Sequence, residues 1–570
     1  MSTQSALGLC AVGFWAWRVG WDMAGKRLVL SFVRLFGALF GDCHMPQKIA
    51  DINLSLGEYT LVSEVPKGVI CVEMQFDKIP VPYLKKLTRG LRTQEQTLEV
   101  RLPDGMPDIG RVLDAWGQVI VRSKEWNGDN MTLSCGVMAW VLYVPEDEDG
   151  VRSVEAWLPF SLKWELPDSP YDGKMLTSCL LRGVDARSTS ARKLMVRANL
   201  GVMAEAWLPA EAQVAVAGEL PEDIQLLTAN YPMMLPKELG EKAFLMEEQL
   251  GFSTTGPKPE KLLYYCLQPE IVDKKVMAGK VVFRGSGMLH VLYKGEDGRV
   301  YSWDYELPFS QYGDLDGEYS QDAMVSVYPC VTSLDLSLED NGTLQMKAGI
   351  LGQYMLCDRT MVTVAEDAYS PHRPLSLHFE ELELPAVLEQ TTQNLRAEQS
   401  AQVDAQSLVD LTVLPEHGQL ERTENGVEYV VPGQFQMLYY DSEGELRSAQ
   451  TPWQTDGAMH AAEDATVDMW MSSIGKPQGI LGAGSVNLRA DATMELRTVS
   501  GRGIPMLTGL EMGEMAKPNP DRPSLIVCKK GDERLWDMAK KTGSTVEAIL
   551  AANRLENEPE TDKILLIPII

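Results

Sequence analysis

Positive charge is scarce in this chain: 52 lysines and arginines face 80 aspartates and glutamates, a formal net charge of −28. A surface that acidic repels phosphate backbones and anionic headgroups, so nucleic acid is not expected as a partner. Paired cysteine is missing as well. The nine cysteines stand singly, with no CxxC and an odd total, which argues against a secreted disulfide framework and for a reducing compartment, the cytosol by default. The six histidines form no HExxH pair, and His290, in an alternating run, is expected to be a satisfied sheet histidine. Gly285-Ser286-Gly287 lies inside a strand pattern rather than at a strand-to-helix turn, so it is expected as a bulge and not as a nucleophile elbow. Gly482-Ala483-Gly484 likewise precedes a strand, not a phosphate-cradling helix. The acidic turn Glu146 to Gly150 lacks the ligand spacing of a calcium loop. No nucleophile–base pair can be assembled. The expectation is therefore a non-enzymatic chain, with catalytic residues, cofactors and metals all none.

Long apolar runs are absent too. Ala6–Trp17 and Leu28–Phe40 are separated by Arg18, Asp22, Lys26 and Arg27, and neither reaches the roughly 18 to 20 residues that span a bilayer. No charged start with a small-residue cleavage site is present. Residues 1–44 are an unplaced N-terminal extension: either a membrane-associating hairpin, or sequence ahead of a natural start at Met45.

What the chain does have is a pattern that occurs three times. Val141-Leu142-Tyr143, Asp149-Gly150 and Leu158-Pro159-Phe160-Ser161 recur as Val291-Leu292-Tyr293, Asp297-Gly298 and Leu307-Pro308-Phe309-Ser310. They return more loosely as Met437-Leu438-Tyr439, Glu443-Gly444 and Thr451-Pro452-Trp453-Gln454. Each copy is expected to be a β-hairpin. The marks Arg197-Ala198, Lys347-Ala348 and Arg489-Ala490 follow, their alanines 39, 40 and 38 residues after the prolines. A period of about 150 residues suits a small domain rather than a solenoid unit. Leu334, Leu336 and Leu338 alternate with polar residues, Asn341-Gly342 is expected to supply the positive φ angles of a tight hairpin turn, and Leu344, Met346, Ala348 and Ile350 alternate on the way back. Asn425-Gly426 marks a similar turn in the third copy. Strands with one dry face must bury it against another layer, so the expected fold is mainly β: three antiparallel sandwiches or half-open barrels.

The marks divide the chain into an N-terminal segment at 45–94, repeats at 95–215, 258–365 and 399–506, connectors at 216–257 and 366–398, a linker at 507–523 and a tail module at 524–569. Tyr83 to Arg92 and the stretch with Ile224, Leu226 and Leu227 carry helical spacing. The prolines of 513–523 predict a semi-extended tether.

The tail has the most specific motif. Leu525-Ile526-Val527 predicts a strand, Lys530-Gly531-Asp532 a turn, Leu535 to Lys541 a helix, Ser544-Thr545-Val546-Glu547 a capping-box start, and Ile564 to Ile567 a closing strand. This β-α-α-β order, with its leucine-tryptophan-aspartate helix start and its asparagine–leucine pair at Asn553 and Leu555, resembles the LysM module. That resemblance implies a groove for N-acetylglucosamine polymers, walled by Gly531, Asp532, Glu533 and Arg534 on one side and by Asn553, Arg554 and Leu555 on the other. Glu533-Arg534 stands where the family has a single threonine, a charged insertion that would suit a protein surface as well as a sugar. Trp536 is expected in the module core, within reach of Ile549 and Ile564. Three such repeats ahead of a LysM tail resemble the SPOCS-domain proteins of endospore-forming Firmicutes, and their number resembles the clostridial members that interact with stage IV sporulation protein A. The resemblance implies a spore-coat morphogenesis protein that docks through LysM on that coat morphogenetic ATPase. Its implied address is the mother-cell cytoplasm at the forespore surface, in the spore coat. Peptidoglycan or a chitin-like glycan is the alternative partner, and the repeats could self-associate.

Overall fold

The computed structural model describes residues 72–166, 173–252, 256–424, 426–516 and 524–570, and the backbone of 16–21 and 28–33. In the extension, β1 (Ala16–Trp21) and β2 (Leu28–Val33) pair antiparallel. The rest of residues 1–44, on which the hairpin and alternative-start readings turn, lies outside the described residues. No helix among the described residues is long and apolar enough to cross a membrane.

The fold is mainly β. After β3 (Val72–Gln75), the first repeat comprises β4 (Asp77–Arg101), β5 (Ile109–Asn127), β6 (Asn130–Pro145), β7 (Arg152–Glu165), β8 (Lys174–Ser190) and β9 (Lys193–Val216). The second comprises β10 (Gln225–Gly251), β11 (Pro259–Met277), β12 (Lys280–Gly295), β13 (Val300–Asp314), β14 (Met324–Leu338) and β15 (Thr343–Tyr369). Each is a sandwich in which the first, sixth and fifth strands form one antiparallel sheet and the second, third and fourth the other.

The third repeat has the same plan with interruptions. Its first strand is split into β16 (Leu375–Leu382) and β17 (Val387–Ala401), with Pro385, which has no N–H to donate, between them. Its second strand is β18 (Ala405–Pro415), followed by the short β19 (Gln419–Thr423). Then come β20 (Gly426–Asp441), β21 (Leu446–Met459), β22 (Thr466–Ile474) and β23 (Gln478–Gly482). The sixth strand is split into β24 (Ser485–Val499) and β25 (Ile504–Met512) around Gly501-Arg502-Gly503. β17-β24-β22 is one sheet and β18-β20-β21 the core of the other, while β16, β25 and β3 form a small extra sheet.

The repeated sequence marks fall at equivalent places. Val141, Val291 and Met437 lie on the third strand of each sandwich, and the hairpin glycines that follow, Gly150, Gly298 and Gly444, have φ of 93°, 82° and 81°, a conformation that costs glycine little. Ala198 and Ala348 on the sixth strands are fully buried and Ala490 nearly so, flanked by Val196 and Leu200, Met346 and Ile350, and Leu488. Each first strand also carries a bulge at the same position, at Leu87, Lys237 and Leu388.

Three local expectations are corrected. Tyr83–Arg92 and Ile224–Leu227 are not helical: the first lies wholly within β4, and β10 begins at Gln225. Gly285 to Gly287 lie within a regular part of β12, and the bulge is on the facing strand, at Val272. At Asn341-Gly342 only Gly342 has positive φ (80°). Asn341 instead uses its side-chain oxygen to accept from Thr343 N at 2.9 Å and Oγ1 at 2.6 Å. Asn425 lies outside the described residues.

The repeats close on one another. β14 lies against β5, β22 against β11, and β8 against β18, so the fifth strand of each repeat meets the second strand of the one before it in cyclic order. β7, β13 and β21 likewise meet β11, β18 and β5. Head-to-tail contacts that close after three steps make a ring with approximate threefold symmetry within one chain. The far ends of the first and sixth strands run beyond their sandwiches and share an apolar core that includes Val214, Leu235, Val364, Leu384, Leu507 and Leu510.

Candidate functional site

The C-terminal module consists of β26 (Leu525–Lys529), α1 (Leu535–Thr542), α2 (Val546–Asn553) and β27 (Lys563–Ile567), with β26 and β27 paired antiparallel. Gly543 (φ 69°) ends α1. The N-cap of α2 is Thr545, whose Oγ1 accepts from Ala548 N at 3.1 Å, one residue later than the capping-box pattern predicts.

Six of the seven expected groove residues lie in two loops that are tied together, and the seventh, Asn553, is the last residue of α2. Gly531 N donates to Asp562 Oδ1 at 2.8 Å, and Leu535 N, at the open start of α1, donates to Glu558 Oε1 at 2.6 Å. Lys529, nearly fully buried, donates to Pro559 O at 2.9 Å. Asn553 clips α2 to β27: its amide donates to Ile549 O and Leu566 O at 2.8 and 2.7 Å and accepts from Leu566 N at 2.8 Å. Arg554 ends α2 at φ 56°, and Leu555 packs partly against the module core. Asp532, Glu533 and Arg534 are exposed, with Arg534 paired to Asp537 at 3.0 Å.

Trp536 is a core residue, but its neighbours differ from expectation. Ile564 is 69% exposed, and the core is built from Leu535, Ile549, Leu565, Ile567 and, from the end of β15, Tyr369. The Tyr369 and Trp536 rings meet edge-on at 4.8 Å. Asp367 accepts from Trp536 Nε1 at 2.8 Å and from Lys540 at 2.7 Å. Burial works to raise the Asp367 carboxyl, but Lys540 and Trp536 outweigh it and hold it below its usual value. The module is thus seated on the second repeat. On its sheet, Leu525, Ile526, Ile564 and Leu566 are 38%, 75%, 69% and 41% exposed, with Ile526 directly opposite Leu566.

The ring holds a second concentration of functional chemistry, which sequence patterns did not reveal. At each joint a third-strand residue meets the second strand of the next repeat, and the three equivalent positions are Trp140, His290 and Gln436. Trp140 lies edge-on to Tyr264 at 5.4 Å, and its Nε1 donates to Glu155 at 3.0 Å. His290 Nδ1 lies 2.6 Å from Asp304, and Nε2 lies 3.0 Å from Asp410, close enough for an ion pair though outside hydrogen-bond geometry. Burial alone would lower the His290 pKa, but Asp410 and Asp304 raise it well above its ordinary value. Gln436 donates to Ala115 O at 2.8 Å, and Gln450 donates to Asp114 Oδ1 at 3.1 Å. Asp114 Oδ2 is enclosed without a hydrogen-bond partner, and burial pushes this carboxyl up to about 6. Cys266 faces His290 across the strands, but burial pushes its thiol up, away from the thiolate a nucleophile needs.

Where the three sixth strands converge, equivalent positions hold Glu205, Met355 and Arg497. Arg497 is 2% exposed and contacts Met355 Sδ at 2.8 Å and Glu495 at 3.3 Å. Glu495 also accepts from Ser326 and Tyr328, both at 2.5 Å. Lys86 and Arg89 of the first repeat reach Asp468 of the third at 2.5 and 2.6 Å. Residues from all three repeats complete this buried network. Among the described residues no His, Cys, Asp and Glu group of three or more has the arrangement of a metal site.

No curated protein and no solved structure matches the chain. Residues 258–339, running from β11 to β14 of the second repeat, match the family described as SipL, SPOCS domain, so this part of the ring is similar to a SPOCS domain.

Proposed function

We propose that the chain is a non-enzymatic assembly protein of the spore envelope, acting in the mother-cell cytoplasm at the forespore surface. Its C-terminal module, a LysM-like hook, binds the coat morphogenetic ATPase, stage IV sporulation protein A. The observation that carries this reading is the distribution of polar and apolar groups on the module. The rim that would wall a glycan groove spends Gly531 N and the whole Asn553 amide on internal bonds, whereas the two-stranded sheet presents Ile526, Ile564 and Leu566 to solvent. A small apolar face rimmed by charge fits a protein partner better than a neutral sugar polymer. Arg534 and Arg554 are exposed and supply charge for orientation. The ring is the body that this hook carries, with exposed surfaces for coat components or for further copies.

The test is a pull-down of the full chain with purified ATPase, beside co-sedimentation with purified peptidoglycan. Ile526→Asp should abolish capture, and Arg534→Glu or Arg554→Glu should weaken it, each with an unchanged melting profile. Capture that survives all three substitutions, or sedimentation with peptidoglycan in the absence of ATPase binding, contradicts the reading and returns the module to wall binding.

A further inference from the structure

The three joints occupy equivalent places in the ring but do not fill them equally. Around the joint between the first and second repeats, Trp116, Trp140, Tyr264 and Tyr265 pack against one another, with centroid separations of 4.8 to 5.8 Å. Strand register gives the matching positions around the joint between the second and third repeats: Cys266, His290, Asp410 and Leu411. Four large rings are replaced by a thiol, an imidazole, a short carboxylate and a leucine. The third joint also has small residues, but there Gln436 reaches across to Ala115 O at 2.8 Å; the serine bond beside it is common to both joints, Ser448 on Leu113 O at 2.8 Å and Ser302 on Val409 O at 2.7 Å. A cavity of about 430 Å³ opens beside the joint between the second and third repeats and is lined by the second and fifth strands of all three repeats.

The chemistry of the wall is uneven. Three carboxylates, Glu270, Asp304 and Asp410, face two cations, His290 and Lys476. Asp304 has a short charged contact on each oxygen, His290 at 2.6 Å and Lys476 at 2.5 Å. Asp410 does not. It is 4% exposed, and besides the His290 contact it receives one long bond, from Thr412 Oγ1 at 3.4 Å, although a carboxylate accepts about four. The rest of the wall is largely apolar, with Met288, Leu411 and Ile474 among its residues. An enclosed carboxylate with spare acceptor capacity, beside apolar surface and under a net charge of −28, selects for a cation with N–H donors and a hydrocarbon body.

We propose that this cavity is a binding site for a small organic amine, with its ammonium on Asp410 and its apolar body along the wall formed by Met288, Leu411 and Ile474. The site is a property of the ring and is independent of the docking assigned to the C-terminal module.

The experiment is isothermal titration of the full chain with hexylamine, with hexanol and hexanoate as neutral and anionic controls, followed by melting curves. Hexylamine should bind saturably at one site per chain and raise the melting temperature, and neither control should do so at the same concentration. Asp410→Asn should weaken hexylamine at least tenfold. Cys266→Trp, which copies Trp116 into the cavity, should abolish the binding heat in a chain that still melts cooperatively. Absence of saturable hexylamine binding, equal binding of either control, or binding that persists in folded Cys266→Trp overturns the proposal. If neither variant folds, the selectivity of the unmodified chain among the three probes decides it.

Discussion

Two joints of the ring, at the same place in the fold, are made by opposite means. Between the first and second repeats Trp140 meets Tyr264 and Tyr265 across dry aromatic surface. Between the second and third, His290 stands between Asp304 and Asp410. The backbone plan therefore leaves open which chemistry closes a joint. With three different closures, each repeat has one compatible neighbour on either side, because a wrong pairing would bury an unmatched carboxylate or leave an aromatic cluster half filled. The third repeat is bounded on both sides by buried titratable groups, His290 with Asp410 on one side and Asp114 on the other, whereas the first and second add to their aromatic contact an ion pair between Lys124 and Glu241.

The largest effect is expected at the aromatic joint. Trp140→Ala should cost about 3 to 5 kcal/mol of stability in urea unfolding, by the cavity it leaves, and the loss should not change with pH. Replacing His290 by Gln, the residue at the equivalent place in the third repeat, leaves Asp410 buried without its cation and should cost about 3 kcal/mol. Because Asp304 and Asp410 raise the folded pKa of His290 against burial, its contribution is present at acid pH and is lost as pH rises through that raised value. Cys266, Tyr264 and Lys476 are the other titratable groups around it. Melting temperatures against pH should therefore slope downward above neutrality in the native chain and flatten in the variant.

Asp114 works in the same direction for a different reason. Its pKa is raised to about 6 by burial, with Gln436, Gln450 and Ser448 the groups that oppose the shift. Stability from this group is complete below its unfolded pKa and is lost as pH rises through about 6, by about 2 to 3 kcal/mol. Asp114→Asn should remove that slope and leave the variant more stable than the native chain at neutral pH. The smallest effect lies in the module: Arg554→Gly, at φ 56°, should stabilise by up to about 1 kcal/mol, seen as a rise in the melting temperature.

The repeat was legible in the sequence where strands have one wet and one dry face, as in Leu344 to Ile350, and where a turn demands glycine. The first strand of each repeat was not. β4 and β10 run past their own sandwiches into the shared core, so their neighbours change along their length. Alternation is blurred, and Ile224, Leu226 and Leu227 imitate helical spacing. Ring closure left no pattern because Trp140, His290 and Gln436 share a position and no chemistry. In the module, the motif falls with Gly531 in the turn before α1 and with Asn553 and Leu555 at and just past the end of α2. It did not show that Asn553 is a clip between α2 and β27, or that Tyr369, some 167 residues before Trp536, completes the module core. Both depend on contacts between segments distant in sequence.

The account turns on the module being a hook for a protein. Its most direct test is the affinity of the full chain for purified stage IV sporulation protein A, measured beside Ile526→Asp. Binding that Ile526→Asp weakens by a hundredfold or more, with the ring's melting transition unchanged, is the predicted result. Equal affinity of the two chains, or no binding by either, would contradict it.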